Sequence, residues 1–135
     1  MSDKTPNVLL IIADQWSTQI ANGSGNNHTP VQTPAIDRLA REGIRFEQSY
    51  STFPLCCPAR SSIFTGMMPH HHGLIDNEEI YHERLNHIPH NERLATLSGA
   101  FKSAGYQTAY FGKEHAAGYA WDNIDTFGSM KYSAG

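Results

Sequence analysis

Cysteine is scarce in this sequence. Only Cys56 and Cys57 occur among 135 residues, and they are adjacent. Neighbouring cysteines make a poor disulfide, because bridged Cα atoms normally lie ~5.5 Å apart in a relaxed geometry. A disulfide scaffold is thereby excluded, and what remains is a structural thiol or a functional one. Long apolar runs are missing too. The longest near the start, Val8–Ala13, has six residues. A signal peptide needs a longer stretch behind a basic segment, and a membrane span needs far more. No membrane association is expected, and with no export signal visible the expected location is cytoplasmic. Positive charge is not in excess either: Lys and Arg number 10 against 13 Asp and Glu, for a formal net charge of −3. Arg38, Arg41 and Arg45 read as one solvated helix face, so nucleic acid is not expected as a partner.

What is present describes a soluble globular protein, with 39% apolar and 17% charged residues. The length suits one small α/β domain. Val8–Ala13 is a continuous aliphatic run, as expected of a parallel strand buried on both faces. It stops at Asp14-Gln15, polar residues placed where the carboxyl end of the strand would open, the edge at which open α/β sheets bind ligands. Ala21–His28 reads as an exposed loop. Thr33-Pro34 looks like a cap followed by Pro at the first helical position, with Ile36, Leu39 and Ala40 as the apolar face and Gly43 as the stop. Ile44–Ser51 alternates as a strand, weakly after Phe46. Phe53–Cys57 reads as a turn and Pro58–Thr65 as a helix closed by Gly66. Pro69–His90, with six of the eight histidines, has no period and reads as loop. Arg93–Ala104 is helical in spacing, with Asn91 as cap and Gly105 as stop, and Tyr106–Phe111 is a final strand.

The order β, α, β, α, loop, α, β predicts a mostly parallel sheet flanked by helices. Three polar clusters follow apolar segments: Asp14-Gln15, Cys56–Arg60 and Lys113–His115. If the strands are parallel neighbours, the clusters meet at one sheet edge. At Cys56-Cys57-Pro58-Ala59-Arg60 a helix starting at Pro58 would aim backbone N–H groups at Cys56, favouring an anionic nucleophile or substrate group. Arg60 adds a planar cation suited to oxygen anions. Alone, this short pattern is weak, since most free cysteines are small buried hydrophobes.

Extended, the pattern becomes specific. Cys56 through Gly66 resembles the sulfatase signature, C-x-P-x-R with Thr-Gly a few residues on. Pro69-His70-His71-His72-Gly73 resembles the segment that follows it in that family. Pro6-Asn7-Val8 into Ala13-Asp14-Gln15, and Thr33 through Ala40, resemble the family's opening. Gly105-Tyr106-Gln107-Thr108 through Gly112-Lys113-Glu114-His115 resembles its G-Y-x-T … G-K-x-H block. Five matches in order cover most of residues 6–115.

The resemblance implies an alkaline phosphatase-like α/β fold and hydrolysis of sulfate esters. Cys56 would be oxidised after synthesis to formylglycine by a formylglycine-generating enzyme, and the hydrated aldehyde would attack sulfur, with Cys57 a spectator. Asp14, Gln15 and the modified Cys56 would ligate a divalent metal, Ca²⁺ or Mn²⁺. Gln15 stands where many members carry a second aspartate, a departure that resembles the branch of choline sulfatases and phosphonate monoester hydrolases. Arg60 would steady the nucleophile, Lys113 would hold a sulfate oxygen, and His115 would orient the nucleophile or move a proton. Glu114 either raises the pKa of His115, selects a cationic substrate, or points away. His70–His72 are expected in a supporting or loop role, with His82, His87 and His90 on the surface. Trp16 lines a pocket or caps the core.

The family's second pair of metal ligands is not found after His115, where Asp122, Asn123 and Asp125 occur but no Asp-His-Gly-type or Asp-Asn-type block follows a predicted strand. Residues 1–135 are therefore expected to be the N-terminal part of a catalytic domain, exposed at a sheet edge and not competent alone. An oligomer stays open for a full-length form. Beside sulfate ester hydrolysis, two alternatives stand: the same machinery acting on phosphate or phosphonate esters, and a non-catalytic module that binds an anion at the Pro58 helix terminus.

Overall fold

The computed structural model describes residues 5–16, 31–77 and 95–130. Tertiary contacts divide the chain into two units, residues 1–49 and 50–135. The Ala21–His28 loop, the Asn91 cap and the histidines at 82, 87 and 90 lie outside the described residues.

In the first unit the apolar run Val8–Ala13 is not a strand. Most of its side chains are exposed, Leu9 at 84% and Ile11 at 75%. A strand exists only by pairing, and no described residue forms a ladder with this one. The run does end where expected, in a turn at Asp14-Gln15, with Gln15 in the left-handed region at φ 50. Helix α1, Pro34–Glu42, matches its expected start and stop: Pro lies in the first turn and Gly43 follows the last residue. Thr33 caps it differently from the expectation. Its hydroxyl donates to the Asp37 carboxylate at 3.0 Å instead of accepting a backbone N–H, and its carbonyl takes the Asp37 N–H at 2.8 Å. Ile44–Ser51 is likewise not a strand, with Ile44 84% and Phe46 77% exposed. Two alternating pairs without a partner strand bury too little to hold an extended ladder.

The second unit is built on helix α2, Cys56–Thr65. It starts two residues earlier than its proline suggests. The N–H groups of a first turn have no helical partner, so Pro58 loses no bond by standing third in the helix. Gly66 ends it at φ 68, its N–H on the Ser62 carbonyl at 2.8 Å. A single turn, α3 (Pro69–His72), occupies the start of the expected loop and closes at Gly73, φ 77. Helix α4, Leu97–Ser103, is shorter than its periodicity suggested, and its cap is Thr96, whose hydroxyl accepts the Gly99 N–H at 3.0 Å.

Strands β1 (Ala109–Lys113) and β2 (Thr126–Met130) pair in parallel, with Phe111 opposite Gly128. The expected Tyr106–Phe111 strand is thus displaced toward its carboxyl end, and β2 was not foreseen. Parallel strands need a long crossover, supplied by residues 114–125 with a 3-10 turn at Gly118–Trp121. Helix α2 packs against this pair through aromatic rings. Phe64 meets Tyr110 edge-on at 5.9 Å and Trp121 at 4.9 Å, while Tyr110 stacks on Phe127 at 5.6 Å. A buried cluster of Cys57, Leu74, Ala117 and Tyr119 packs at the first turn of α2. The architecture is α/β, helices with a small parallel sheet, and it holds the start of α2 beside the end of β1.

Candidate active site

Cys56 opens α2 and is partly exposed, whereas Cys57 next to it is wholly buried. The two thiols therefore differ. Burial pushes the Cys57 thiol up to about 12, so it stays protonated and inert. Cys56 faces the turn after β1. Gly112 near the end of β1 takes φ 115, and beyond the strand His115 takes φ 41, a left-handed conformation that non-glycine residues adopt at a cost. The bend brings His115 Nδ1 to 3.1 Å from Cys56 Sγ and Lys113 Nζ to 3.9 Å from it. The sulfur thus has an imidazole nitrogen and an ammonium on its flank, polar neighbours of the kind that surround a nucleophile.

Arg60 reaches across from α2 to β1. It is buried, 6% exposed, and its Nη1 donates to the Lys113 carbonyl at 3.2 Å. The Tyr110 hydroxyl donates to the same carbonyl. Two donors from α2 and β1 thus clamp the backbone of the residue whose ammonium reaches Cys56. Lys113 is positioned at its own main chain.

The helix terminus also departs from expectation. The N–H groups of its first turn are not aimed at Cys56 as a group. Ala59 N–H bonds the Leu55 carbonyl at 3.1 Å, and Cys57 N–H bonds Asn77 Oδ1 at 3.0 Å. That Asn77 oxygen also lies 3.6 Å from Cys56 Sγ. Neither Asn77 nor Tyr110 was marked by the sequence. Asn77 stands 21 residues from Cys56, a separation that no local spacing rule reads, although the polar pair Asp76-Asn77 after the Gly73 turn was a signal of a kind.

The histidine run divides by burial. His72 is 2% exposed, with Nε2 3.0 Å from the Ser62 hydroxyl, while its Nδ1 accepts the Leu74 N–H at 3.2 Å. An accepting Nδ1 carries no proton, so the neutral ring donates from Nε2. Burial lowers its pKa. His72 ties α3 and the following loop to α2, while His70 and His71 are exposed. Among the described residues no group of three or more His, Cys, Asp and Glu side chains could hold a metal. Asp14 and Gln15, in the first unit, are exposed oxygen donors whose chemistry suits a hard divalent cation. A thiol at position 56 is a soft ligand and suits such a cation only after conversion to an oxygen group. Glu114 is half-buried, and its charge acts on Tyr110, whose hydroxyl is pushed upward chiefly by burial.

The structure therefore brings together Cys56, Lys113 and His115, with Arg60 on the Lys113 carbonyl, while Asp14 and Gln15 belong to the other unit.

Comparison with known proteins bears on this constellation. The family model described as Sulfatase matches residues 6–133. An uncharacterized sulfatase of Escherichia coli is 34% identical over 116 residues, covering 86% of this chain and 21% of the relative. An N-acetylglucosamine-6-O-sulfatase of Bacteroides thetaiotaomicron is 37% identical over 112 residues, covering 83% and 18%. An arylsulfatase of Clostridium perfringens is 34% identical over 110 residues, covering 82% and 21%. The chain spans about a fifth of the length of these curated relatives. No solved structure matches significantly. With a family match across nearly its whole length, the chain belongs to the sulfatase family.

Proposed function

We propose that this chain is the nucleophile-bearing, N-terminal part of a sulfuric ester hydrolase with an alkaline phosphatase-like catalytic domain. The observation that carries the reading is the flank of residue 56, where His115 Nδ1 at 3.1 Å and Lys113 Nζ at 3.9 Å converge on one side chain at the start of α2. Family membership and relatives named as sulfatases support the substrate class, a small anionic sulfate ester.

In this reading Lys113 holds a negatively charged ester oxygen, and its aim is set by the donors on its carbonyl, Arg60 and Tyr110. His115 holds or moves a proton at the side chain of residue 56. Conversion of Cys56 to formylglycine by a maturation enzyme supplies an oxygen nucleophile there. Asp14 and Gln15 would hold a divalent cation, Ca²⁺ or Mn²⁺. Such an ion supplies charge neutralisation for sulfate oxygens.

The test is intact-mass analysis after co-expression with a formylglycine-generating enzyme. Conversion lowers the mass by about 18 Da, and peptide mapping should place the change at residue 56 and not at Cys57. A thiol retained at residue 56 under co-expression sinks the formylglycine reading. Turnover of aryl sulfate against aryl phosphonate monoester, measured on a converted full-length protein containing this chain, decides between the two tetrahedral ester classes.

A further inference from the structure

Helix α2 has a poor cap of its own. Leu55 occupies the N-cap position, and no side chain there accepts a backbone N–H. Pro58 carries no N–H, and Ala59 bonds the Leu55 carbonyl. Of the N–H groups so left, that of Cys57 lies inside a residue with no exposed surface, where water does not replace a missing acceptor. Asn77 Oδ1 fills that place at 3.0 Å. The amide orientation follows from the chemistry, since only the oxygen can face a donor N–H.

The chain reaches this point along a rigid path. Gly73 turns it at φ 77, Leu74 is wholly buried, and His72 holds the Leu74 N–H. Asp76 Oδ1 then accepts the Asn77 N–H at 2.6 Å. The Asn77 side chain is therefore held from its own backbone and from α2 at once. Its oxygen stands 3.6 Å from Cys56 Sγ, with His115 Nδ1 and Lys113 Nζ as the other neighbours of that sulfur.

We infer that Asn77 is a positioning residue that sets the side chain of residue 56, accepting from it and from the Cys57 N–H with one amide oxygen. A single acceptor shared in this way couples the start of α2 to the rotamer of the residue it presents. Bearing on catalysis, the inference rests on residue 56 being the nucleophile; its test below does not, so the two can fail separately.

The test uses the 135-residue chain expressed without the maturing enzyme, so that residue 56 keeps its thiol. Two quantities are compared for wild type, Asn77→Asp and Asn77→Ala: the melting temperature, and the rate of alkylation by iodoacetamide at fixed pH, assigned to Cys56 by peptide mass spectrometry. Asn77→Asp keeps the acceptor for the Cys57 N–H and places an anion at a helix N-terminus, so its melting temperature should equal or exceed wild type. Its charge beside Sγ opposes the anionic sulfur that attacks the reagent, and alkylation should slow about tenfold. Asn77→Ala removes acceptor and cap together, so it should melt lower and react several-fold faster. An Asn77→Asp rate at or above wild type overturns the inference and reduces Asn77 to a helix cap. If Asn77→Ala does not fold, the Asn77→Asp rate alone decides.

Discussion

At the scale of single residues, the site separates groups that touch residue 56 from groups that hold those groups in place. Lys113 and His115 belong to the first set. In a converted full-length protein, Lys113→Met should lower kcat/KM for an aryl sulfate by roughly 10²–10³, the range for removing one preorganised charge donor. His115→Gln should cost roughly 10²–10⁴, the range for general acid–base catalysis, and steady-state kinetics on matched preparations checks both. Arg60 is buried and holds the Lys113 carbonyl, so Arg60→Met should lower thermal stability together with turnover. His72 is a different kind of residue, because its neutral ring is a buried strut. Its folded pKa lies below the ordinary 6.5, so between the two values the unfolded chain binds more protons than the folded one. Its stabilising contribution is complete above pH 6.5 and is lost as pH falls through the folded value. Denaturation midpoints measured from pH 8 to pH 5 should therefore fall in wild type and fall less in His72→Gln. At pH 8 the same variant should be weaker than wild type by about 1–2 kcal/mol.

At the scale of elements, the position of α2 on β1 depends on rings and on one exposed staple. Phe64 is 8% exposed and touches both Tyr110 and Trp121. Phe64→Ala should cost about 3 kcal/mol in equilibrium unfolding, and Phe64→Leu, which keeps most of the volume, should cost less. The staple is Asp125. Its carboxylate takes Lys102 Nζ at 2.6 Å and the Thr108 N–H at 2.9 Å, and these donors bring its pKa from the ordinary 3.8 to about 2. The support is present above pH 4 and vanishes as the carboxylate protonates toward pH 2. Thermal melts taken across that window should show a decline that Asp125→Asn flattens. The same bonds explain why β1 begins at Ala109 and not at Tyr106. Thr108 directs its N–H and hydroxyl to Asp125 and to the Asn123 carbonyl, outside any ladder. Helices α1 and α2 were readable because proline and glycine mark ends locally. The start of α2 was misread by two residues because Pro58 tolerates more than one place in a first turn.

At the scale of the whole molecule, the two units carry different parts of the proposed chemistry. The first presents Asp14 and Gln15 on a turn, and the second presents residue 56 with its basic neighbours. If Asp14 is a metal ligand, Asp14→Ala in the full-length protein should abolish Ca²⁺-dependent turnover. Gln15→Asp should tighten Ca²⁺ binding by adding a charge. Calcium titration followed by activity and by calorimetry checks both, and wild-type turnover unaffected by a chelator would remove the metal from the reading. Val8–Ile11 and Phe111 remain exposed, so solutions of the isolated chain should aggregate with rising concentration, as light scattering would register.

Residue order alone identified the family and named Cys56, Arg60, Lys113 and His115 as a chemical group. Motifs of that kind are local strings, and α1 and α2 follow from capping chemistry written within a few residues. Other features could come only from the folded chain. The meeting of residues 56 and 115, the bond from Arg60 to the Lys113 carbonyl, the burial that separates His72 from His70, and the reach of Asn77 to α2 all depend on contacts between distant segments. The parallel pairing of β1 with β2 is of the same kind. A strand's identity resides in its partner, and for Val8–Ala13 no run of aliphatic residues could supply one.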